Sequence, residues 1–183
     1  FEKLHVLIGA RYDSVQTGAV SSPVSMEAAR AARIERSDDQ ISPRFGLLYQ
    51  VQPWLSTYVS YTESFGGNNG VSANGTPFEP QKGQQYEIGV KTESANKRLS
   101  STLSVFDLTR SNLLTADLNN PGFQILAGEA KSKGIELDVT GQVTDRLKLL
   151  ATYAYTDAKY VRDNGTLLGK RLENSPMHQG SLW

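Results

Sequence analysis

Only His5 and His178 carry imidazoles and there is no cysteine, so the usual side-chain ligands of a transition metal are nearly missing from this chain. A metal site would have to gather carboxylates from scattered positions. His5 falls on the polar side of an alternating run and His178 follows Pro176 and Met177, and both read as structural. Serine and aspartate are plentiful, yet they form neither a nucleophile elbow nor a recognisable triad pattern. Residues 165–170, GTLLGK, lack the GxxxxGK spacing of a phosphate-binding loop and sit among loop signals, where such a loop needs a strand before it and a helix after it. The expectation is therefore a chain with no catalytic residues, no metal site and no covalently bound cofactor. It is not read as an enzyme.

The elements that remain must explain the sequence by shape. With 19 basic and 19 acidic residues in 183, the chain has no basic excess with which to hold a nucleic-acid backbone. The lack of cysteine fits an oxidising compartment without establishing one. No stretch approaches the roughly 18 to 20 consecutive apolar residues that a membrane-crossing helix needs. A membrane-spanning form of this chain would have to be a barrel.

From Leu4 to Asp13 the residues alternate, with Leu4, Val6, Ile8, Ala10 and Tyr12 on one side and His5, Leu7, Gly9, Arg11 and Asp13 on the other. A period of two is the signature of a strand. It recurs over 41–51, with Pro43 on the apolar side near the expected start of the strand, where a missing N–H is tolerated. It is clearer over 84–93, where Tyr86, Ile88 and Val90 oppose Glu87, Gly89 and Lys91, and over 133–143, where Ile135, Leu137 and Val139 oppose Glu136 and Asp138. Weaker alternation marks 54–65, 98–116 and 147–157, and an eighth strand is expected near Met177. Residues 25–36 read as a short helix behind a Ser25 cap, within a surface loop. The connections are unequal: short turns at 51–54, 94–97 and 143–146, and long polar stretches at 14–40, 66–83 and 159–175. A tight turn at 119–122 places Gly122 where a type II turn needs positive φ. In an antiparallel meander every short turn falls at one end, which is the asymmetry of outer-membrane barrels.

Alternation alone does not say whether the apolar side meets lipid or a protein core, so a soluble β-rich binding module stands as an alternative. Two features favour lipid. The runs 98–116 and 123–143 far exceed the usual strand of about five or six residues. Tyr12, Tyr49, Tyr61, Tyr86, Tyr153 and Tyr155 lie on the apolar side near strand ends, as the aromatic girdles of a membrane barrel do.

The residues themselves carry a more specific likeness. Residues 7–13 (LIGARYD), 41–50 (ISPRFGLLYQ), 56–65 (STYVSYTESF), 78–91 (FEPQKGQQYEIGVK), 98–123 (RLSSTLSVFDLTRSNLLTADLNNPGF), 128–147 (GEAKSKGIELDVTGQVTDRL), 149–158 (LLATYAYTDA) and 169–183 (GKRLENSPMHQGSLW) follow in this order over nearly the whole chain. Together they resemble the barrel of TonB-dependent siderophore receptors of the ferrichrome and pyoverdine type. The resemblance implies an all-β fold: about eight antiparallel meander strands, taken from a transmembrane barrel of about 22 strands in the bacterial outer membrane. Residues 1–183 would be barrel alone, with the plug domain, the TonB-contacting region and the last strands lying outside them. In QQYEIGVK, Gly89 would give room for whatever fills the barrel.

The function so implied is uptake of a ferric siderophore as transported ligand, energised through TonB, with outer-membrane lipid as the surrounding partner and no nucleic acid. A passive porin sharing the barrel physics is the alternative. Siderophores are bulky, partly polar chelates that pack on rings, so Phe65, Phe78, Phe123 and Tyr160 in the long connections are the candidate ligand contacts.

Overall fold

The structure, a computed structural model, describes residues 3–19, 25–31, 33–70 and 72–183. The elements run β1 (Leu4–Ala19), α1 (Met26–Ala31), β2 (Ile34–Gln52), β3 (Leu55–Gly66), β4 (Gln81–Glu93), β5 (Leu99–Ala116), β6 (Gln124–Thr144), β7 (Leu147–Arg162) and β8 (His178–Leu182). All eight strands belong to one sheet in chain order, and each neighbouring pair is antiparallel. The expected meander is what short links between alternating runs produce.

Register converts the alternation of each strand into two continuous faces. Val6, Leu47, Val59, Ile88, Val105, Ile135, Tyr155 and His178 stand opposite one another in a single row across the sheet. The adjacent row, His5, Leu48, Tyr58, Gly89, Ser104, Glu136, Ala154 and Gln179, points to the other face and is largely polar. The apolar face is uncovered: Val6, Ile8, Ile88, Val105, Ile135 and Leu137 are all exposed. Among the described residues only Phe78, Phe106, Ala130 and Ala158 are buried hydrophobics. The accessible surface is 12435 Å², whereas a compact monomer of 20.1 kDa would show about 8,700 Å². A soluble module would have folded its apolar rows inward; here they lie open.

The tight turns are built from local polar capping. Ser94 Oγ accepts from Leu99 N–H, Asn96 Oδ1 accepts from Arg98 N–H, and Lys97 takes positive φ at 55°. Thr144 Oγ1 accepts from both Arg146 and Leu147 N–H groups at the β6–β7 turn. At the opposite end, Gly122 has φ 91°, as its turn requires.

Four expectations change. The long loop expected over 14–40 is in part a hairpin extension, since Ser14 pairs with Asp39 and the ladder continues to Ala19 and Ile34. This extension lacks an apolar row, so hydropathy hides it; backbone pairing and ion pairs such as Arg36–Asp38 support it instead. Pro43 is mid-strand, and it marks the limit of β2–β3 pairing, which stops at Arg44 opposite Thr62. The helix is shorter than expected, with Ser25 Oγ capping Ala28 N–H at 3.1 Å. The space at Gly89 is filled from within the sheet: a Cβ there would run into the ring of Tyr58 on the neighbouring strand.

Candidate functional site

The connections opposite the tight turns join into one polar layer. Asn68 is 2% exposed; its Nδ2 donates to Glu79 O at 2.6 Å and to Asn112 O at 2.9 Å, while Gln81 Nε2 donates to its Oδ1 at 2.7 Å. Asn112 interrupts the β5–β6 ladder with φ 58°, a left-handed conformation that asparagine tolerates better than branched residues, and its Nδ2 donates to Pro80 O at 3.0 Å. With Asn68 buried and Asn112 partly so, these amide contacts fix Asn68, Glu79 and Pro80 against β5.

The same layer reaches the other connections. Asn164, in the loop after β7, accepts from Thr115 Oγ1 at 2.7 Å and donates to Ala116 O at 3.0 Å. In the turn after β5, Asp117 accepts from the Nδ2 of Asn120 at 2.8 Å and from the backbone N–H groups of Asn119 and Asn120. These donors, Asn120's amide foremost, hold the Asp117 carboxyl below its ordinary range. Arg36, in the extended β1–β2 hairpin, bonds both oxygens of Asp38 at 2.7 Å and lies 3.4 Å from Glu79 in the β3–β4 loop.

The four candidate aromatics take different places. Phe65 stands opposite Lys82 in the same parity as Tyr61, on the apolar face. Phe78 is 5% exposed and packs beside Gly70, holding the loop in place. Phe123 is exposed beside the Asp117 turn, where its carbonyl accepts from Asp117 N–H. Tyr160 stands opposite Ala130 on the polar face, and its backbone is bracketed by Gly169 and Lys170. They do not converge as one constellation. The asparagines at 68, 112 and 164 and Asp117, which organise the layer, were missed in the sequence; Asn-Asn-Gly and Asp-Asn-Gly runs signal turns but name no distant partner.

Below this layer, the polar face holds a charged relay: Tyr58 donates to Glu87, Gln85 Nε2 donates to Glu87 at 3.0 Å, and Lys91 lies 5.1 Å above the Tyr58 ring. On the other face, aromatic contacts close the apolar band at its loop end, with Tyr61 and Tyr86 at 4.9 Å and Tyr155 and His178 at 5.2 Å between ring centroids. The row of Tyr61 and Tyr86 continues as charges, Asp107, Lys133 and Asp157, with Lys133 3.0 Å from Asp107. Among the described residues no group of three or more His, Cys, Asp or Glu is placed to hold a metal ion.

An open meander with one bare apolar face, a polar opposite face and all its elaborated connections at one end has a counterpart among known proteins. The family model of the TonB dependent receptor-like β-barrel matches residues 1–183. The chain belongs to that family. It is 38% identical over 181 residues to the metal-pseudopaline receptor of Pseudomonas aeruginosa, covering 99% of this chain and 26% of that protein. It is 32% identical over 183 residues to the ferrichrome outer membrane transporter/phage receptor of Escherichia coli, covering 100% of the chain and 24% of the relative. The crystal structure of the ferripyoverdine receptor of Pseudomonas aeruginosa superposes with a TM-score of 0.78 at 25% identity, over 100% of this chain and 23% of that one. The chain thus spans about a quarter of these relatives' length. Barrels of the outer membrane in general present an apolar outer face, a polar lumen, short periplasmic turns and long extracellular connections, and the chain's two faces and unequal connections fit that arrangement.

Proposed function

We propose that the receptor to which this segment belongs imports a ferric siderophore across the outer membrane with energy delivered through TonB, and that the interlocked extracellular layer forms part of the vestibule where the chelate first docks. The observation that carries this reading is the family match over 1–183 together with a loop layer that is tied down by buried polar contacts. A pre-ordered rim loses less entropy when a bulky ligand binds. Tyr160, on the lumen-facing row, and Phe123, exposed at the rim, are the proposed chelate contacts; Phe78 holds the loop, and Phe65 lies on the outward side.

The test uses the full-length receptor. Uptake of radiolabelled ferric siderophores by iron-starved cells carrying wild-type receptor should depend on TonB, and Tyr160→Ala should weaken binding of the transported chelate by roughly tenfold or more, as loss of one buried ring contact does. TonB-independent flux of unrelated small solutes would instead identify a porin. The similarity to the metal-pseudopaline receptor supports a second reading, in which the chelate carries a different metal. Competition between one chelator loaded with iron(III) and the same chelator loaded with a divalent metal separates the two.

A further inference from the structure

Asparagine is a labile residue, and most so before glycine, whose backbone nitrogen meets no side chain of its own on the way to the asparagine Cγ. This chain has three such pairs, Asn69–Gly70, Asn74–Gly75 and Asn164–Gly165, all in connections at the loop end of the sheet. Their surroundings differ. Asn164 Oδ1 accepts from Thr115 Oγ1 at 2.7 Å, its Nδ2 donates to Ala116 O at 3.0 Å, and the Gly165 N–H donates to Asp163 Oδ2 at 2.8 Å. Asn74 Oδ1 accepts from Thr76 Oγ1 at 2.7 Å and from Thr76 N–H at 3.2 Å, while the Gly75 N–H donates to Ser72 O at 2.9 Å. In both pairs the attacking nitrogen and the carbonyl it must reach are held by other groups.

Asn69 and Gly70 are both exposed, and among the described residues neither the Asn69 side chain nor the Gly70 N–H has a hydrogen-bond partner. Gly70 takes φ 114°, a conformation that glycine adopts readily and other residues rarely do, so the turn itself calls for the glycine that makes Asn69 labile. On either side of Asn69 stands an anchor of the β3–β4 connection. Asn68, 2% exposed, bonds Glu79, Asn112 and Gln81 through its amide, and Gly70 packs beside Phe78.

We propose that Asn69 is a site of spontaneous deamidation, and that its conversion loosens the latch that Asn68 makes with β5. The Gly70 nitrogen attacks Asn69 Cγ, and its proton passes by way of water to Nδ2. The Cγ–Nδ2 bond breaks, ammonia leaves, and a five-membered succinimide closes. Water then opens the ring: breaking the bond from Gly70 N to Cγ gives aspartate, and breaking the bond from Gly70 N to the main-chain carbonyl carbon gives isoaspartate. No electrons are exchanged with any partner. Either product sets a carboxylate next to the buried Asn68 amide, and isoaspartate also lengthens the main chain by a methylene. With a single residue between the two anchors, the added length and charge act on both.

The test uses the full-length receptor in detergent, aged at mildly alkaline pH, which favours loss of the Gly70 proton. Peptide mapping by mass spectrometry follows the mass gain at each pair, and enzymatic methylation of isoaspartate counts that product. Asn69 is expected to convert, and Asn74 and Asn164 to convert roughly tenfold more slowly or worse, since at least two hydrogen bonds must break in each before the ring closes. In urea-unfolded receptor that difference should vanish. Each protein is then compared with its own fresh sample: hydrogen exchange over 67–80 should speed up in aged wild type and stay unchanged in aged Asn69→Gln, whose longer side chain closes the ring poorly. Equal conversion at all three pairs in the folded receptor, or faster conversion at Asn74 or Asn164, overturns the site. Conversion at Asn69 with unaltered exchange over 67–80 overturns the loosening of the latch. Chelate affinity before and after ageing bears on the docking reading alone, since unchanged affinity beside a loosened loop counts against the vestibule and leaves the modification standing.

Discussion

Along β6, neighbouring residues face opposite solvents, and this gives the sharpest single-residue test of the faces. Leu137 stands on the apolar face between Leu103 and Tyr153, and Asp138 on the polar face between Thr102 and Thr152. Leu137→Arg in the full-length receptor should cost about 2–4 kcal/mol if the residue lies near the bilayer midplane, because lipid solvates a guanidinium poorly. Asp138→Asn removes a charge from a wet lumen and should cost far less. Refolding of both variants into lipid vesicles under urea titration measures the difference; equal small effects would reverse the facing assignment. Asp117 gives a test outside the membrane. Its folded carboxyl titrates below its ordinary value of 3.8, because its oxygens accept from Asn119 and Asn120. A depressed folded value means the turn's stability is fully present above pH of about 4 and is lost as pH falls through the lower folded value. Hydrogen exchange at the Asn119 and Asn120 amides should therefore accelerate, relative to the intrinsic rate, only below about pH 4, and Asp117→Asn should abolish that dependence.

At the scale of elements, the point most open to perturbation is Asn112, where β5 breaks register to receive the β3–β4 loop. Asn112→Val removes the bond to Pro80 and forces a β-branched residue to φ 58°. It should loosen residues 67–80 by about 1–3 kcal/mol, seen as faster local hydrogen exchange with the membrane strands unchanged. Asn112→Gly keeps the backbone and should lose only the part carried by the side chain. If both variants exchange as wild type does, the loop is held by something else. This break is also where sequence reading stops. The eight strands were legible because a bare face needs an uninterrupted apolar row, and β4 and β6 show that row without ambiguity. The tight turns were legible because their capping residues are local. The extended hairpin was not, since Glu35, Arg36, Asp38 and Asp39 carry no apolar period although they pair along a ladder. Nor was the loop layer: Asn68 meets Asn112 across 44 positions, and no composition or spacing announces such a partner. Of the four aromatics chosen for ring chemistry, Phe65 shows the limit of that choice. Alternation with Tyr61 already placed it on the lipid side, and parity was outweighed by position in the chain.

At the scale of the whole molecule, the sheet's two outer strands decide what the 183-residue polypeptide can do alone. Among the described residues β1 pairs only with β2 and β8 only with β7, so each presents an unpaired row of backbone N–H and C=O groups. In lipid each such group costs several kcal/mol, and in water an open edge recruits other chains. Closing β8 onto β1 would remove both edges, but a barrel of about eight strands has an interior just filled by side chains. The lumen row here would force Arg44, Glu87, Lys91, Glu136 and Asp138 into that space with Tyr58, and desolvating such charges costs several kcal/mol per ion. The register also opposes closure, since β8 extends only from His178 to Leu182 while β1 runs 16 residues. The polypeptide expressed by itself should therefore aggregate or remain dependent on detergent, and should neither conduct ions nor bind a ferric siderophore. Refolding residues 1–183 in detergent, followed by planar-bilayer recording and siderophore titration, checks this. A stable monodisperse species with unitary conductance, or binding at micromolar siderophore, would show that the sheet closes on itself and that the wide barrel is not needed to satisfy its edges.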